Sequence, residues 1–495
     1  MSAHAVGYAV FSLYLLAMVG IGYRSGKQQQ SSEDLWVAGR RFGTAVMVMG
    51  LMASIMHGGS ILSGVAFAAA FGGIAILPFL SFSLGFLVIL VFFAKKLRDM
   101  KAFTISDFMG ERFASPPLRA WSAVVVALSS IVYLIAQIRG MGLVLESLLG
   151  LPPVAAMALG TALFVFYVAL GGMLAVIWTN IAQFAFMWLG LLILLPAVVT
   201  ATGGFTAALE RAEALAPGWT SVLGTKWSWG YLLSWWLVWF VAYATRIELV
   251  TKVFIAKDSK VARYALPTTC LLVMIFLLYG NLYLGAAARV LVWDGLSTPD
   301  QAFPAMVRQL LGPTATAIAL TGIASAAMST TDSLLLLSGA AVAHDLLRKG
   351  YFEPRGIVKG EGYYLRASRL AIVSVGALSF LLALRTPELI LAIVSYAVAL
   401  IGAAFFFPLL LGLGWRRTSP MAALASSILG FLAALGWTAL SLSKVAWATA
   451  VHPIVPGLLV GLLAILGLTP LTPQAPADAV RKFFPGPEGA MGKEA

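Results

Sequence analysis

The stretch MASIMHGGSILSGVAFAAAFGG, Met52 to Gly73, sits inside an apolar segment long enough to cross a bilayer, yet it is a poor continuous helix. Gly58, Gly59 and Gly64 alternate with Ser54, His57, Ser60 and Ser63. A helix interrupted there exposes main-chain carbonyl and amide groups, which a membrane tolerates only where they line a cavity. The same small residues also suit close helix packing, and that reading stands beside the first. His57 is a candidate to donate to a carboxylate or to carry a proton.

Outward from this stretch, the chain reads as membrane throughout. It has 495 residues, 60% hydrophobic and 11% charged, too little charge to cover a soluble protein of that size. Thirteen apolar segments of spanning length follow one another, at about 6–23, 44–71, 73–94, 119–148, 153–172, 173–201, 228–250, 264–288, 313–343, 367–385, 388–414, 418–442 and 453–471. Helix is the open solution in lipid, so the expected fold class is an all-α multi-pass membrane protein. The first segment lacks a basic flank and a small-residue cleavage pattern and reads as a retained span. The single cysteine, Cys270, rules out a disulfide framework.

Lys and Arg set the expected orientation. Of 33, 24 fall in alternate connections and the tail, among them Arg40, Lys95, Lys257, Arg348 and Arg416. Six fall on the opposite side, and Arg119, Arg139 and Arg246 lie at or within helices. The amino terminus is therefore expected outside and the carboxyl terminus inside, and the net charge of +13 reads as topology and not as nucleic-acid binding. Residues 1–471 form one transmembrane domain, and the Pro- and Gly-rich tail 472–495 is too short to fold alone.

Ionisable and strongly polar residues at membrane depth mark candidate sites. In AAMSTTDSLLLL, Ala326 to Leu337, Ser329, Asp332 and Ser333 share a helix face and Thr330 adjoins it. Hydroxyl and carboxylate oxygens suit a small hard cation. Bonds from Ser and Thr back to their own helix explain the hydroxyls but not Asp332. In YLIAQIRGMGLVLES, Gln137 and Arg139 are candidates to hold a carboxylate, although Arg139 could instead pair with Glu146 or reach outward. In WSWGYLLSWWLVWFVAYATRIELVTK the early tryptophans suit an interfacial belt, and Trp239 and Tyr243 could wall a pocket. There is no Cys/His metal constellation, phosphate loop or Ser/His/Asp set in the sequence, so soluble-enzyme chemistry is not expected.

GGMLAVIWTNIAQ (Gly171 to Gln183), AKDSKVAR (Ala256 to Arg263) and AAMSTTDSLLLLSGAAVAHDL (Ala326 to Leu346), in this order on thirteen spans, resemble blocks of the sodium:solute symporter family. The likeness covers nearly the whole length to about Leu471. It implies a five-plus-five inverted repeat, with core repeats at about 44–201 and 228–414. It also implies Na⁺ as the coupling ion, a place in the cell's inner membrane, and lipid and a small solute as partners, without an obligate protein partner. By resemblance the main sodium site maps onto the side chains of Ser329 and Thr330, the carbonyl of Ala326, and carbonyls at Ser54 and His57. Asn180 stands where the family often has Asp, and Asp332 where relatives have a hydroxyl. Asn180, Asp332 and Ser333 are thus a possible second cation site. His57, Ser60, Gln137, Arg139, Trp239 and Tyr243 are the substrate candidates. The seventh span has AYATRIE in place of the family's usual Gly/Pro-rich stretch.

YLIAQIRGMG and YVALGGMLAVIW look most like the acetate permease branch, and VHPIVPGLLVGLLA more like the pantothenate branch. The expected function is Na⁺-coupled import of a small carboxylate such as acetate, pyruvate or lactate. Pantothenate or a proline-like amino acid, a proton-coupled version, and a solute sensor are the alternatives.

Overall fold

A computed structural model describes residues 3–27, 42–56, 58–73, 76–88, 104–225, 227–246, 249, 257–386 and 389–484. His57 lies outside the described residues. The described chain is helical, as expected for backbone that lipid cannot satisfy. In chain order the helices are α1 (Ala3–Gly26), α2 (Thr44–Ile55), α3 (Gly58–Phe71), α4 (Ile76–Val88) and α5 (Ile105–Arg112). They continue with α6 (Pro116–Leu149), α7 (Pro153–Thr202), α8 (Phe205–Leu215), α9 (Trp229–Thr245) and α10 (Ser259–Ile275). The rest are α11 (Leu282–Leu291), α12 (Ala302–Leu310), α13 (Pro313–Ala340), α14 (Glu361–Ala383), α15 (Ile390–Gly414), α16 (Pro420–Leu442), α17 (Ile454–Leu468) and α18 (Ala477–Phe483).

Nine helical stretches among the described residues are long and apolar enough to cross a membrane, and the bent pair α2/α3 makes a tenth. The other three expected spans correspond to α4, α9 and α17, which are helices of 13, 17 and 15 residues. Two of these, α4 and α9, run into stretches outside the described residues.

Local sequence sets the boundaries. Ser115 caps α6 by accepting the Leu118 amide, Pro116 occupies the first turn where a missing N–H costs nothing, and Gly150 ends the helix at φ 70°. Between 153 and 202 the backbone turns at Gly172, with φ 55° and ψ −162°, and this divides α7 into the two spans read from the sequence. A side chain is strained at that φ. Gly172→Ala is therefore expected to cost about 1–3 kcal/mol, seen as a lowered thermal midpoint in detergent. Gly20→Ala, with nothing within 4 Å of the added methyl, should leave the midpoint unchanged or slightly raised.

Burial sorts the helices into two shells. The apolar stretch of α13 is 94% buried and that of α15 is 83%, against 28% for α1 and 39% for α16. Helix α13 packs against α7, α6, α1 and α14, and touches both halves of the bent pair. A helix covered on all sides has no lipid face, so its polar residues have protein partners or a ligand.

Candidate functional site

The bent pair turns by 50° between Ile55 and Gly58. Helix α2 ends at Met56, whose ψ of 61° takes the chain out of helical geometry. Beyond that point the regular helical ladder of α2 stops, and its last three carbonyls, those of Ala53, Ser54 and Ile55, lie at the helix end. Each of the three is met by a hydroxyl: Ser329 Oγ donates to Ala53 O at 2.6 Å, Thr330 Oγ1 to Ser54 O at 3.0 Å, and Ser60 Oγ to Ile55 O at 2.9 Å. Ser329 also reaches Ala326 O at 2.9 Å. Glycine at 58 makes this approach possible, since a Cβ there would lie 2.8 Å from the Ala327 methyl on α13.

Five neutral oxygens from two helices therefore converge in a fully buried place: the carbonyls of Ala53, Ser54 and Ala326 and the hydroxyls of Ser329 and Thr330. Neutral hard oxygens in that number suit a monovalent metal cation. Of the carbonyls expected at Ser54 and His57, Ser54 O serves Thr330 and His57 lies outside the described residues; Ser329 reaches Ala53 O instead. Thr331 donates to Ala327 O in its own helix, and Ser333 donates back to Ser329 O at 3.4 Å.

On a neighbouring face of α13, Asp332 is fully buried and accepts from the Tyr167 hydroxyl and from Gln183 Nε2, the latter at 3.2 Å. Both donors come from α7, one from each side of the Gly172 turn. Ser325 Oγ donates to Gln183 O at 3.0 Å and fixes that helix in register. Asn180, also fully buried, is one turn before Gln183. Asp332 and Asn180 thus belong to facing helices, while the hydroxyl of Ser333 is turned to its own backbone.

The residue that sequence reasoning passed over is Arg246, at the end of α9. It is fully buried, and its Nη2 donates to Ser54 O at 3.3 Å, the carbonyl that Thr330 also reaches. Its guanidinium lies over the rings of Tyr243 and Tyr133, 5.1 and 5.5 Å from their centroids. Arginine stacks on aromatic rings and grips carboxylates bidentately, so the site joins a cation-type oxygen cage to an anion-binding group. An Arg directly after an aromatic span, inside AYATRIE, was the available signal; a hydropathy reading merely counts it as one basic residue at a helix end.

The other substrate candidates divide. Tyr243 and Trp239 are buried on α9, Tyr243 against Phe82 and Trp239 against Trp235. Gln137 is buried on α6, one turn from Tyr133. Ser60 closes the break through Ile55, and its own carbonyl accepts from Asn281 Nδ2 at 2.9 Å. Arg139 is elsewhere: it lines a separate cavity of about 280 Å³ with Glu146 and Asp300. Asp300 there accepts from Ser63 Oγ at 2.9 Å and from the Ile390 amide at 3.1 Å, tying α3 to the start of α15. Burial pushes its carboxyl above the ordinary range, with these two bonds and Arg139 opposing.

A larger cavity of about 450 Å³ opens between the far end of α3, the start of α9 and the start of α15. Its wall is aromatic: Phe67 stacks on Trp235 at 5.5 Å, and Tyr231 and Tyr396 line the same space. His452 stands behind it, 5.5 Å from the Trp235 ring, with Nδ1 accepting from the Ile454 amide and Nε2 facing Ser395 Oγ at 3.1 Å. Burial pushes this imidazole down to about 3, so it is neutral there.

A sequence profile described as the sodium:solute symporter family matches residues 35–430. The osmoregulated proline transporter OpuE of Bacillus subtilis (strain 168) is 28% identical over 484 residues, covering 95% of this chain and 96% of that protein. A sodium/pantothenate symporter of Escherichia coli (strain K12) is 28% identical over 466 residues, covering 92% and 94%. Among solved structures, a Na⁺-coupled sialic acid symporter in a substrate-bound outward-open state superposes with a TM-score of 0.77 at 18% identity, over 95% of this chain and 98% of that one. That likeness is one of fold.

Proposed function

The chain belongs to the sodium:solute symporter family, and we propose that it imports a small carboxylate-bearing solute that pairs with Arg246. As a family member it is a membrane transporter and not an enzyme, and Na⁺ is its coupling ion. Thirteen spans, an outside amino terminus, an inside carboxyl terminus and paired core repeats at about 44–201 and 228–414 complete the reading.

One observation carries it: Thr330 and Arg246 share a single carbonyl, that of Ser54. In this reading Na⁺ occupies the cage of Ala53, Ser54, Ala326, Ser329 and Thr330, and the solute carboxylate pairs with Arg246. The guanidinium opposes a cation beside it, since unit charges about 4 Å apart interact by about 4 kcal/mol at an effective dielectric of 20. A carboxylate on Arg246 cancels that repulsion, so ion and solute each favour the binding of the other. Trp239 and Tyr243 wall the solute, and the aromatic vestibule is its approach.

Proline, pantothenate and sialic acid, named for three similar proteins, share a carboxylate. No short monocarboxylate is named for those three, so acetate, pyruvate and lactate remain candidates on sequence resemblance alone. An aromatic vestibule supports a solute with an apolar body, such as a proline-like ring, ahead of acetate.

The test is counterflow into liposomes holding the purified protein, with proline, pantothenate, acetate, pyruvate, lactate and sialic acid, in Na⁺ or choline at fixed pH. Na⁺-dependent exchange of an acid and not of its methyl ester or amide is expected. Equal exchange in choline, or preference for the uncharged ester, overturns the reading, and solute-independent silence across the panel favours a sensor.

Asp332, held by Tyr167 and Gln183, is the proposed anchor of a second cation with Asn180 near it. Asp332→Asn is then expected to lower the Na⁺ moved per solute from about two to about one, measured by reversal potential in proteoliposomes. A ratio of one in both proteins counts against the second site and leaves Asp332 as the natural proton carrier of the alternative reading.

A further inference from the structure

A cavity that the sodium and solute reading does not use lies at the far end of α13. From Ala341 to Phe352 the chain continues this helix with i→i+5 hydrogen bonding, a rare geometry frequently found at functional places. Helix α14 packs against α13 and against this continuation. Its contact with α13 is tight, since a Cβ on Gly339 would meet Ser368 Oγ at 2.5 Å and the Ile372 side chain at 3.1 Å. Beside that contact a groove of about 650 Å³ opens between the two elements. One wall is formed by Val342 and Leu347, and the other is a strip of α14 that includes Tyr363, Arg366, Leu370 and Ser374.

The two ends of the groove differ in chemistry. Tyr363 and Arg366 stand in the first two turns of α14, and Lys359 Nζ lies 5.8 Å from the centroid of the Tyr363 ring, so two cations border one end. Arg366 Nε donates to Gly362 O of its own helix at 3.2 Å, which leaves both Nη groups for a ligand. Eight residues on, about 12 Å along the helix axis, Ser374 lies in an apolar stretch with Leu370, which is 68% exposed. Among the described residues no acidic side chain lines the groove. From Arg348 to Arg369 the sequence carries six basic residues and two acidic ones. Both acids are engaged away from the groove, Glu353 by Arg348 and Lys349 and Glu361 by Arg348, at 2.9 to 3.2 Å. The other connections that share this side in the sequence reading are basic as well. A small anion would use the cationic end alone, and an apolar molecule the other end alone. A phosphodiester carrying acyl chains answers both, and basic pockets between spanning helices on the inner side suit anionic lipid headgroups.

We propose that this groove holds one anionic phospholipid of the inner leaflet, with its phosphate at Arg366 and Lys359 and an acyl chain along Leu370 and Ser374 against Val342 and Leu347. A lipid seated there fills the gap beside the ion-carrying helix and stabilises the α13–α14 pair. The site is separate from the oxygen cage and from Arg246, and it stands whichever solute the protein carries.

Native mass spectrometry of the full-length protein, with phosphatidylglycerol and phosphatidylcholine of equal chain length in competition, reads the site without transport. The wild type should retain one phosphatidylglycerol in preference to phosphatidylcholine. Replacing Arg366 and Lys359 together by Gln should lower that retention by about 10- to 30-fold, the scale of two basic groups at an anionic headgroup, and leave phosphatidylcholine unchanged. Ser374→Trp alters no charge but fills the apolar length of the groove, and it should displace the phosphatidylglycerol as well. Arg417→Gln removes an exposed charge of the same side outside the groove and should leave retention as it is. In detergent, phosphatidylglycerol should raise the thermal midpoint of the wild type and glycerol 3-phosphate should not, because a ligand that binds only the folded protein stabilises it. Equal retention of the two lipids overturns the proposal, as does phosphatidylglycerol binding that Ser374→Trp leaves intact. A loss in Arg417→Gln as large as in the double variant assigns the effect to diffuse surface charge. A midpoint raised equally by glycerol 3-phosphate assigns the basic end to free phosphate, and either result removes the lipid site.

Discussion

Replacing Ser329 and Thr330 together by alanine is expected to raise the Na⁺ concentration for half-maximal uptake by about 100-fold or more, with solute affinity falling only where Na⁺ is limiting. Each hydroxyl is fully buried against a carbonyl at the end of α2, at 2.6 and 3.0 Å. A hydrogen-bonding group that serves an ion is worth about 1.5–3 kcal/mol, or about 10- to 100-fold in affinity. The two act on one cage, so their effects are not expected to add fully. Removing them also strips a donor from each of two buried carbonyls, a cost to the fold of about 1–3 kcal/mol apiece. Thr330→Ser keeps the hydroxyl and is the control: it should stay within a few-fold of wild type. Na⁺ titrations of initial uptake rates in proteoliposomes make the comparison, and a double variant with wild-type Na⁺ dependence would falsify the cage.

The second large effect concerns Arg246. Arg246→Gln is expected to weaken solute binding by about 100-fold, the scale of a lost charge-assisted, bidentate contact. In the absence of solute it should bind Na⁺ more tightly than wild type, because the guanidinium on Ser54 O no longer opposes the cation. These opposite signs separate a coupling role from simple damage, which weakens both. Arg139→Gln, in its own cavity with Glu146 and Asp300, should change neither by more than a few-fold. Equilibrium binding of labelled solute and labelled Na⁺ to the purified variants reads both quantities. Parallel losses of the two ligands in Arg246→Gln would remove the electrostatic link between them.

Much of the architecture is legible in the sequence because lipid narrows the choices. Long apolar runs leave helix as the open solution, and Gly58, Gly59 and the serines around them mark the run that bends by 50°. Gly171 and Gly172 likewise mark the turn within α7, and the hydroxyls of Ser329 and Thr330 meet the broken helix. What hydropathy conceals is which polar groups meet across distant helices. Asp332 stands out as an intramembrane acid, but its donors Tyr167 and Gln183 are 165 and 149 residues away in the chain. Of the two carbonyls read from the sequence, Ser54 O meets Thr330 and His57 lies outside the described residues, while Ala53 O, which meets Ser329, follows from where α2 unwinds at Met56 and not from residue type. Arg246 stands apart from the topology count as a residue at or within a helix, but the sequence does not show that its guanidinium is held between Tyr133 and Tyr243. Arg139 stands out in the sequence for its depth in α6, yet it lines a separate cavity with Glu146 and Asp300.

Saturable binding of labelled sodium to the purified, solute-free protein bears most closely on the proposed ion cage. The wild type should bind sodium that excess unlabelled Na⁺ displaces and choline does not, and the Ser329→Ala/Thr330→Ala protein should lose the site that Arg246→Gln keeps. Undiminished sodium binding in the doubly substituted protein would place the ion elsewhere and contradict the assignment of the α2 carbonyls and the α13 hydroxyls.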